Sequence, residues 1–184
     1  MSPDELADLI ARRRSSLLID ASAPVGDDDI DALVTAAQWA PNHKRTWPLR
    51  ICVVTGDSRR ALGESIAGAM AARGDDEAKV EKTRTKYMRS PVVLVVASAV
   101  GASDSETIEN SYAVAAGIQN LLLTAEARGL AALWGSPAKG ANSVITEFCG
   151  MEPTDSVVGL VYLGHPTRSS APVERPAPRV TRRG

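Results

Sequence analysis

Aromatic side chains are scarce in this chain of 184 residues: they make up 4%, with one Phe, three Tyr and three Trp. So thin a supply argues against a base-stacking surface for single-stranded nucleic acid. An excess of one charge sign is also missing, since 21 Lys and Arg face 22 Asp and Glu. No global field draws the chain to a polyanion, and no nucleic-acid partner is expected. The two cysteines, Cys52 in an apolar run and Cys149 near a helix end, form no CxxC pair and sit in no ligand spacing. Buried, reduced thiols of a cytoplasmic protein are the expectation. Two histidines without paired cysteines give no metal site. The longest apolar run, Pro91–Val100, is far too short to span a bilayer, so no membrane partner is expected. A polar, acidic stretch follows Met1, which does not read as a secretory signal. Neither GxSxG, GxGxxG nor GxxxxGK[ST] occurs, which removes a nucleophile elbow and the two commonest phosphate loops.

What is present is an ordinary globular composition, 44% hydrophobic and 23% charged, long enough for one domain over 1–184 with its own core. Ser2, Pro3, Asp4 and Glu5 are start signals for a helix over 3–13. Asp27, Asp28 and Asp29 open a second helix, with Ile30, Leu33, Val34 and Ala37 on one face, running to about Ala40. Pro41 forbids its continuation. Leu49–Thr55 reads as a strand and Ser58 starts a third helix. The charged stretch 73–90 reads as a helix and then a loop with a solvated face. The β-branched run Pro91–Ala99 predicts a strand buried on both faces. Glu106–Arg128 predicts a long helix apolar most of the way round, closed by Gly129. A short strand over Leu130–Trp134, a brief helix over 141–149 and a last strand over Ser156–Gly164 complete an α+β order. From about 165 to 184 prolines interleave with arginines, a composition that makes no core of its own and either dangles or wraps a partner subunit.

Three groups carry the chemistry-bearing residue types: Arg13-Arg14-Ser15 after the first helix, the junction Trp39 to Arg45, and Trp134-Gly135-Ser136 after a strand. Each has a plain structural reading, as helix-end cations, a solvated charge run and a core Trp. Together they suit a flat, phosphate-bearing ligand. Guanidinium groups grip phosphate bidentately, the Ser15 hydroxyl serves a polyol or ring edge, and glycine beside Trp lets backbone N–H groups approach a ring. No side-chain catalytic apparatus stands out, so the chemistry is expected from a cofactor.

Five stretches in order resemble the nitroreductase superfamily of FMN-dependent, NAD(P)H-using oxidoreductases, in particular its short, minimal branch. They are Arg13-Arg14-Ser15, Ala40-Pro41-Asn42-His43-Lys44, Arg84 to Pro91 (R-x-x-x-x-R-S-P), Gly129 to Ser136 (G-L-x-x-x-W-x-S) and Val158 to Pro166. The resemblance implies a nitroreductase-like α+β fold, a central, mostly antiparallel sheet flanked by helices. It also implies an intertwined homodimer with two FMN sites at the interface and a C-terminal extension, about 165–184, packing on the partner subunit. Arg13, Arg14 and Ser15 would hold FMN from one subunit, and Trp39, Pro41, Asn42 and His43 would approach it from the other. Trp134, Gly135 and Ser136 would line the isoalloxazine, Thr124–Gly129 would meet NAD(P)H, and Arg179, Arg182 or Arg183 would reach the FMN phosphate. The implied reaction is ping-pong hydride transfer through flavin N5 from NAD(P)H to a small oxidised acceptor such as a nitroaromatic or quinone. His43 would be a hydrogen-bond donor to flavin or substrate.

The sequence departs from the family pattern at three places. Ser16, Leu17 and Leu18 stand where a basic residue often follows R-x-S, Trp47-Pro48-Leu49 replaces Gln-Pro-Trp, and Gly135 follows Trp134 where the nearest branch has a cation. A dimeric flavin-binding module without reductase activity, or a different flavin-dependent dehydrogenase or dehalogenase chemistry, therefore stand as alternatives.

Overall fold

The computed structural model describes residues 2–171 and 173–184; Met1 and Pro172, the latter one of the prolines of the tail, lie outside the described residues. Helix α1 spans Pro3–Arg12. Ser2 and Glu5 cap it reciprocally, the Ser2 hydroxyl accepting from Glu5 N at 3.2 Å and the Glu5 carboxylate from Ser2 N at 2.6 Å. Helix α2, Asp27–Gln38, buries Ile30, Leu33 and Ala37 and stops at Trp39, a residue short of the expected Ala40. Strand β1 (Leu49–Thr55) and helix α3 (Ser58–Ala72) follow. Within the charged stretch 73–90 helix forms only over α4, Glu77–Lys86, because the Asp76 carboxylate caps it by accepting from Lys79 N. A 3₁₀ turn at Tyr87–Arg89 leads into β2, Val92–Ser98, whose seven residues are all buried.

Helix α5, Asp104–Ala127, starts two residues earlier than its apolar pattern implies, since the Ser103 hydroxyl accepts from Glu106 N. After Arg128, Gly129 takes φ 72°, the left-handed turn that ends a helix. Strand β3 (Ala131–Gly135), helix α6 (Asn142–Phe148) and strand β4 (Ser156–Gly164) finish the domain. The four strands form one sheet in the order β1-β2-β4-β3, every neighbour antiparallel. The register slips between Val96 and Ala97 opposite β4, a bulge that falls beside Gly159.

Period-2 alternation splits the core in two. Val93, Val95, Leu160 and Tyr162 face α3, α4 and α6, while Leu94, Val96, Val161 and Leu163 face α2 and α5. The expected α+β sheet flanked by helices is thus observed, with helices on both faces. Beyond β4 the chain pairs once more, Ile19 with Pro166, and Thr167 N donates to Leu18 O at 2.9 Å. The rest of the tail has no regular element among the described residues. Among the described residues no helix is long and apolar enough to cross a membrane.

Helices α2 and α5 cross so closely that a Cβ on Gly117 would stand 2.7 Å from the carbonyl oxygen of Ala37. Gly117→Ala is therefore expected to lower stability by about 1–3 kcal/mol, by forcing two backbones apart. Gly68→Ala, on an α3 face with nothing within 4 Å, is expected to raise it by about 0.5–1 kcal/mol. Urea unfolding of the two variants measures both signs.

Candidate functional site

Helix α1 delivers the three consecutive arginines to the edge of the sheet. After Arg12 the backbone straightens at Arg13 (φ −54°, ψ 126°), Ser15 bridges in parallel to Ala132 of β3, and Ser16 N donates to Ala132 O at 3.0 Å. Extended backbone sends successive side chains to opposite sides. Arg14 and Ser16 accordingly line one cleft of about 320 Å³, together with Arg12, Arg168, Ser169 and Gly129. Glu126 also lines it and pairs with Arg12 at 3.4 Å. Arg13 turns elsewhere, and among the described residues its buried Nη1 has no hydrogen-bond partner. Burial first, then the neighbouring cations Arg175 and Arg14, hold Arg13 below the ordinary guanidinium range. The Glu126 carboxylate acts on Arg13 in the opposite sense, but the buried Nη1 donor stays unbonded, and an anionic group placed there would complete it. Ser15 itself is exposed.

The second group sits directly downstream of that bridge. The Trp134 ring lies against Gly159 of β4, where any Cβ would collide with Nε1 and Cδ1, and the side chain remains 38% exposed. Gly135 backs onto the Tyr162 ring, its notional Cβ 3.4 Å from Cε2, and Ser136 is exposed at the strand end. Arg13-Arg14-Ser15 and Trp134-Gly135-Ser136 are therefore brought together by the Ser15–Ala132 bridge.

The third group is not. The junction between α2 and β1 lies at the opposite edge of the sheet, against the N-terminal part of α5. Its shape is held from inside. The Asn42 side chain accepts from Trp47 N at 2.9 Å and donates to the Thr46 hydroxyl at 3.0 Å. That hydroxyl donates to Asn110 Oδ1 at 2.6 Å, and buried Asn110 donates on to Ala99 O at 3.2 Å. The network sustains left-handed backbone at Lys44, Arg45 and Trp47 (φ 56°, 56° and 49°), each worth about 1–2 kcal/mol of strain in a non-glycine residue. What the loop offers outward is aromatic. Trp39 is 82% exposed, and Trp47, 64% exposed, borders an apolar cavity of about 310 Å³ lined also by Ala37, Ala40, Pro48 and Val114. His43 is exposed beside Pro41 and Tyr112, and Lys44 pairs with Glu106 at 3.8 Å.

Asn110, which holds the junction, and Glu126, at the arginine cleft, are separated along α5 by roughly 24 Å of helix at about 1.5 Å per residue. Arg179 is exposed in the tail, and among the described residues no hydrogen bond or ion pair involves it. The cleft instead takes Arg168, with Arg175 close to Arg13. Sequence reasoning passed over Arg168 because the tail has no periodicity. The available signal was its distance from the end of β4, where the Ile19–Pro166 bridge holds the chain beside the residues following α1. Within the expected NAD(P)H segment, Glu126 and Gly129 do line this cleft. Among the described residues no group of His, Cys, Asp and Glu could hold a metal ion.

Comparison with known proteins gives a consistent picture. A family model described as "Nitroreductase family" matches residues 10–165. The chain is 28% identical over 178 residues to "Putative NAD(P)H nitroreductase YdjA" of Escherichia coli (strain K12), spanning 95% of this chain and 97% of that protein. The crystal structure of a nitroreductase-like family protein from Bacillus cereus superposes with a TM-score of 0.79 at 26% identity, over 96% of this chain and 94% of its own. The FMN-dependent nitroreductase NfnB from Mycobacterium smegmatis, solved in complex with NADPH, shares the fold at a TM-score of 0.75 and 17% identity, over 98% and 100% of the two chains.

Because Asn110 holds both the Thr46 hydroxyl and the Ala99 carbonyl, Asn110→Ala is expected to lower stability by about 1–3 kcal/mol. Loss of the anchor also frees the strained loop. Limited trypsin digestion, followed by mass spectrometry, is expected to show faster cleavage after Lys44 and Arg45 than in the parent protein.

Proposed function

The chain belongs to the nitroreductase family, and from that membership and the basic cleft we propose that it is an FMN-dependent oxidoreductase using NAD(P)H to reduce small oxidised acceptors such as nitroaromatics or quinones. Arg13 carries the reading: its Nη1 is a buried guanidinium donor with no hydrogen-bond partner among the described residues, near Arg14 and Arg175, and the phosphate of a flavin mononucleotide would complete it. The neighbouring groups fit the rest of that cofactor. The exposed Ser15 hydroxyl suits the polyol chain, and Trp134, Gly135 and Ser136 offer an aromatic face, a small residue and a strand end to the ring. When bound, FMN supplies the redox chemistry, taking reducing equivalents from NAD(P)H and giving them to the acceptor in alternation in one pocket.

The chain's own residues bind, orient and shield. Arg13 would fix the anionic end, while Arg14, on the other side of the strand, lines the cleft with Glu126 and Gly129 where NAD(P)H would approach. The junction residues Trp39, Pro41, Asn42 and His43 belong to the same reading only if a second copy supplies them. The roughly 24 Å of α5 between Asn110 and Glu126, with the two groups at opposite edges of the sheet, supports assigning them to different copies. The functional unit is then a homodimer with two equivalent sites, each chain one domain over 1–184; of the tail expected on the partner, about 165–184, Thr167, Arg168 and Arg175 stay on their own chain, and the part beyond Arg175 would reach the partner. That placement would bring Arg179 to the partner's site. Asn42 contributes by holding the loop, since its side chain is already engaged with Trp47 and Thr46. His43 is the exposed donor, directed to flavin or substrate. Two free cysteines accord with a cytoplasmic location.

One observation favours a flavin-binding module without reductase activity. Where a basic residue often follows R-x-S in the family, Ser16 is buried and its hydroxyl accepts from Leu18 N at 3.1 Å, so no cation reaches the cofactor from there. Purified protein separates the readings. A yellow homodimer that bleaches anaerobically on addition of NADH or NADPH is the expected result. Colour without bleaching favours the module, and colourless protein that takes up no FMN overturns both. Arg13→Ala is expected to weaken FMN retention roughly 10- to 100-fold, the loss of a charged hydrogen bond. His43→Ala is expected to keep the flavin and lower turnover, read from steady-state kinetics with a nitroaromatic acceptor.

A further inference from the structure

The two cysteines, far apart in sequence, meet on the sheet face opposite α2 and α5. Cys52 is on edge strand β1, paired with Val95, and Cys149 is the residue that caps α6. Both pack, half-buried, against the same core cluster of Val54, Ile145 and Val157. Across that shared cluster the two thiols interact, an interaction that lowers Cys52 and raises Cys149. This contact serves neither the arginine cleft nor the junction, and Cys149 lines a separate surface cavity of about 230 Å³ with Ile51, Gly150 and Met151. The charged groups around that cavity are Arg50 on β1 and Glu152 and Asp155 on the turn after α6. Arg50 is occupied, donating to Trp47 O and Leu49 O, and Asp155 accepts from Glu152 N at 3.2 Å. None is placed to pair with either thiol, so the thiols are each other's polar partners.

We propose that Cys52 and Cys149 are a redox-active pair that hydrogen peroxide converts to an intramolecular disulfide and a thiol reductant restores. Cys52 is the attacking sulfur. The interaction with Cys149 stabilises its thiolate and brings its pKa down to about 7, while that same interaction and burial raise Cys149. The Cys52 thiolate attacks one peroxide oxygen, the O–O bond breaks, and hydroxide leaves with the proton to form water, giving a sulfenic acid at Cys52. The Cys149 sulfur then attacks the Cys52 sulfur, the S–O bond breaks, and the hydroxyl leaves as a second water with the Cys149 proton. Two thiols and one peroxide thus become one disulfide and two waters. The product ties β1, which starts directly after the junction loop, to the end of α6.

The test uses the whole reduced protein, treated with a small excess of hydrogen peroxide and then denatured in iodoacetamide without reductant. The expected outcome is an intact mass about 2 Da below the reduced protein with no alkylated thiol, and a linked peptide pair containing Cys52 and Cys149. The disulfide closes a long loop, so oxidation is expected to raise Tm by at least about 5 °C, reversed by dithiothreitol. Cys149→Ala is expected to leave a Cys52 sulfenic acid that dimedone traps. The same variant is expected to move the midpoint of the pH dependence of Cys52 alkylation from near 7 in the parent to above about 8.5. Two alkylated thiols after peroxide, a disulfide between chains on a non-reducing gel, or an unchanged alkylation midpoint in Cys149→Ala each overturn the proposal. Should Cys149→Ala fail to fold, the mass and peptide measurements on the parent protein decide it alone.

Discussion

The contact on which the rest of this molecule depends is the crossing of α2 over α5 at Gly117. Absence of a side chain there lets the two backbones touch, and the pair is then tied along its length. Asn120 donates to Ala36 O at 3.3 Å, and Arg128 pairs with Asp29 at 2.5 Å. With α2 fixed, α5 becomes a strut running beneath the sheet, and both chemically interesting regions hang from its ends. Asn110 anchors the junction loop at one end, and Glu126 with Gly129 shapes the arginine cleft at the other. A shift at the crossing would move both.

The strut also explains why the junction can be strained and exposed at once. Three non-glycine residues in left-handed backbone would relax if the loop were free. The chain Asn42–Thr46–Asn110–Ala99 satisfies their surroundings from within, and the tryptophans are left facing outward. Large aromatic rings held rigidly in solvent are an unfavourable arrangement for an isolated chain. They accord with the proposed dimer, in which the loop of one copy completes the cleft of the other. Arg13, behind the arginine cleft, has the complementary imbalance, a buried Nη1 donor without a hydrogen-bond partner among the described residues.

The opposite face of the sheet follows a separate logic. Its core is built on Val93, Val95, Leu160 and Tyr162, and at its rim the edge strand and α6 bring two thiols together. No motif spacing announces that meeting. It arises because β1 and β4 both pair with β2, so that residues distant in the chain become neighbours across the sheet. Conversely, the missing Cβ of Gly159 on β4 makes the seat for Trp134 of β3, a relation between two strands that neither displays alone.

The amino-acid order by itself determined the elements and, through motif resemblance, the family. The capping pair Ser2 and Glu5, the proline stop at Pro41, the unbroken β-branched run of β2 and the glycine after α5 act over a few residues, so local chemistry suffices to place them. It also singled out Arg13, Trp134 and the junction as chemically loaded. Only the tertiary structure decided how they group. Extended backbone sent Arg13 and Arg14 to different sides, the Ser15–Ala132 bridge joined Arg13-Arg14-Ser15 to Trp134-Gly135-Ser136, and the length of α5 kept the junction apart. The place of Arg168 at the cleft, and the packing of Cys52 and Cys149 against one core cluster, were likewise decided there. Those relations depend on strand order, register and helix crossing, which are properties of contacts between distant segments and leave no periodic mark in the sequence.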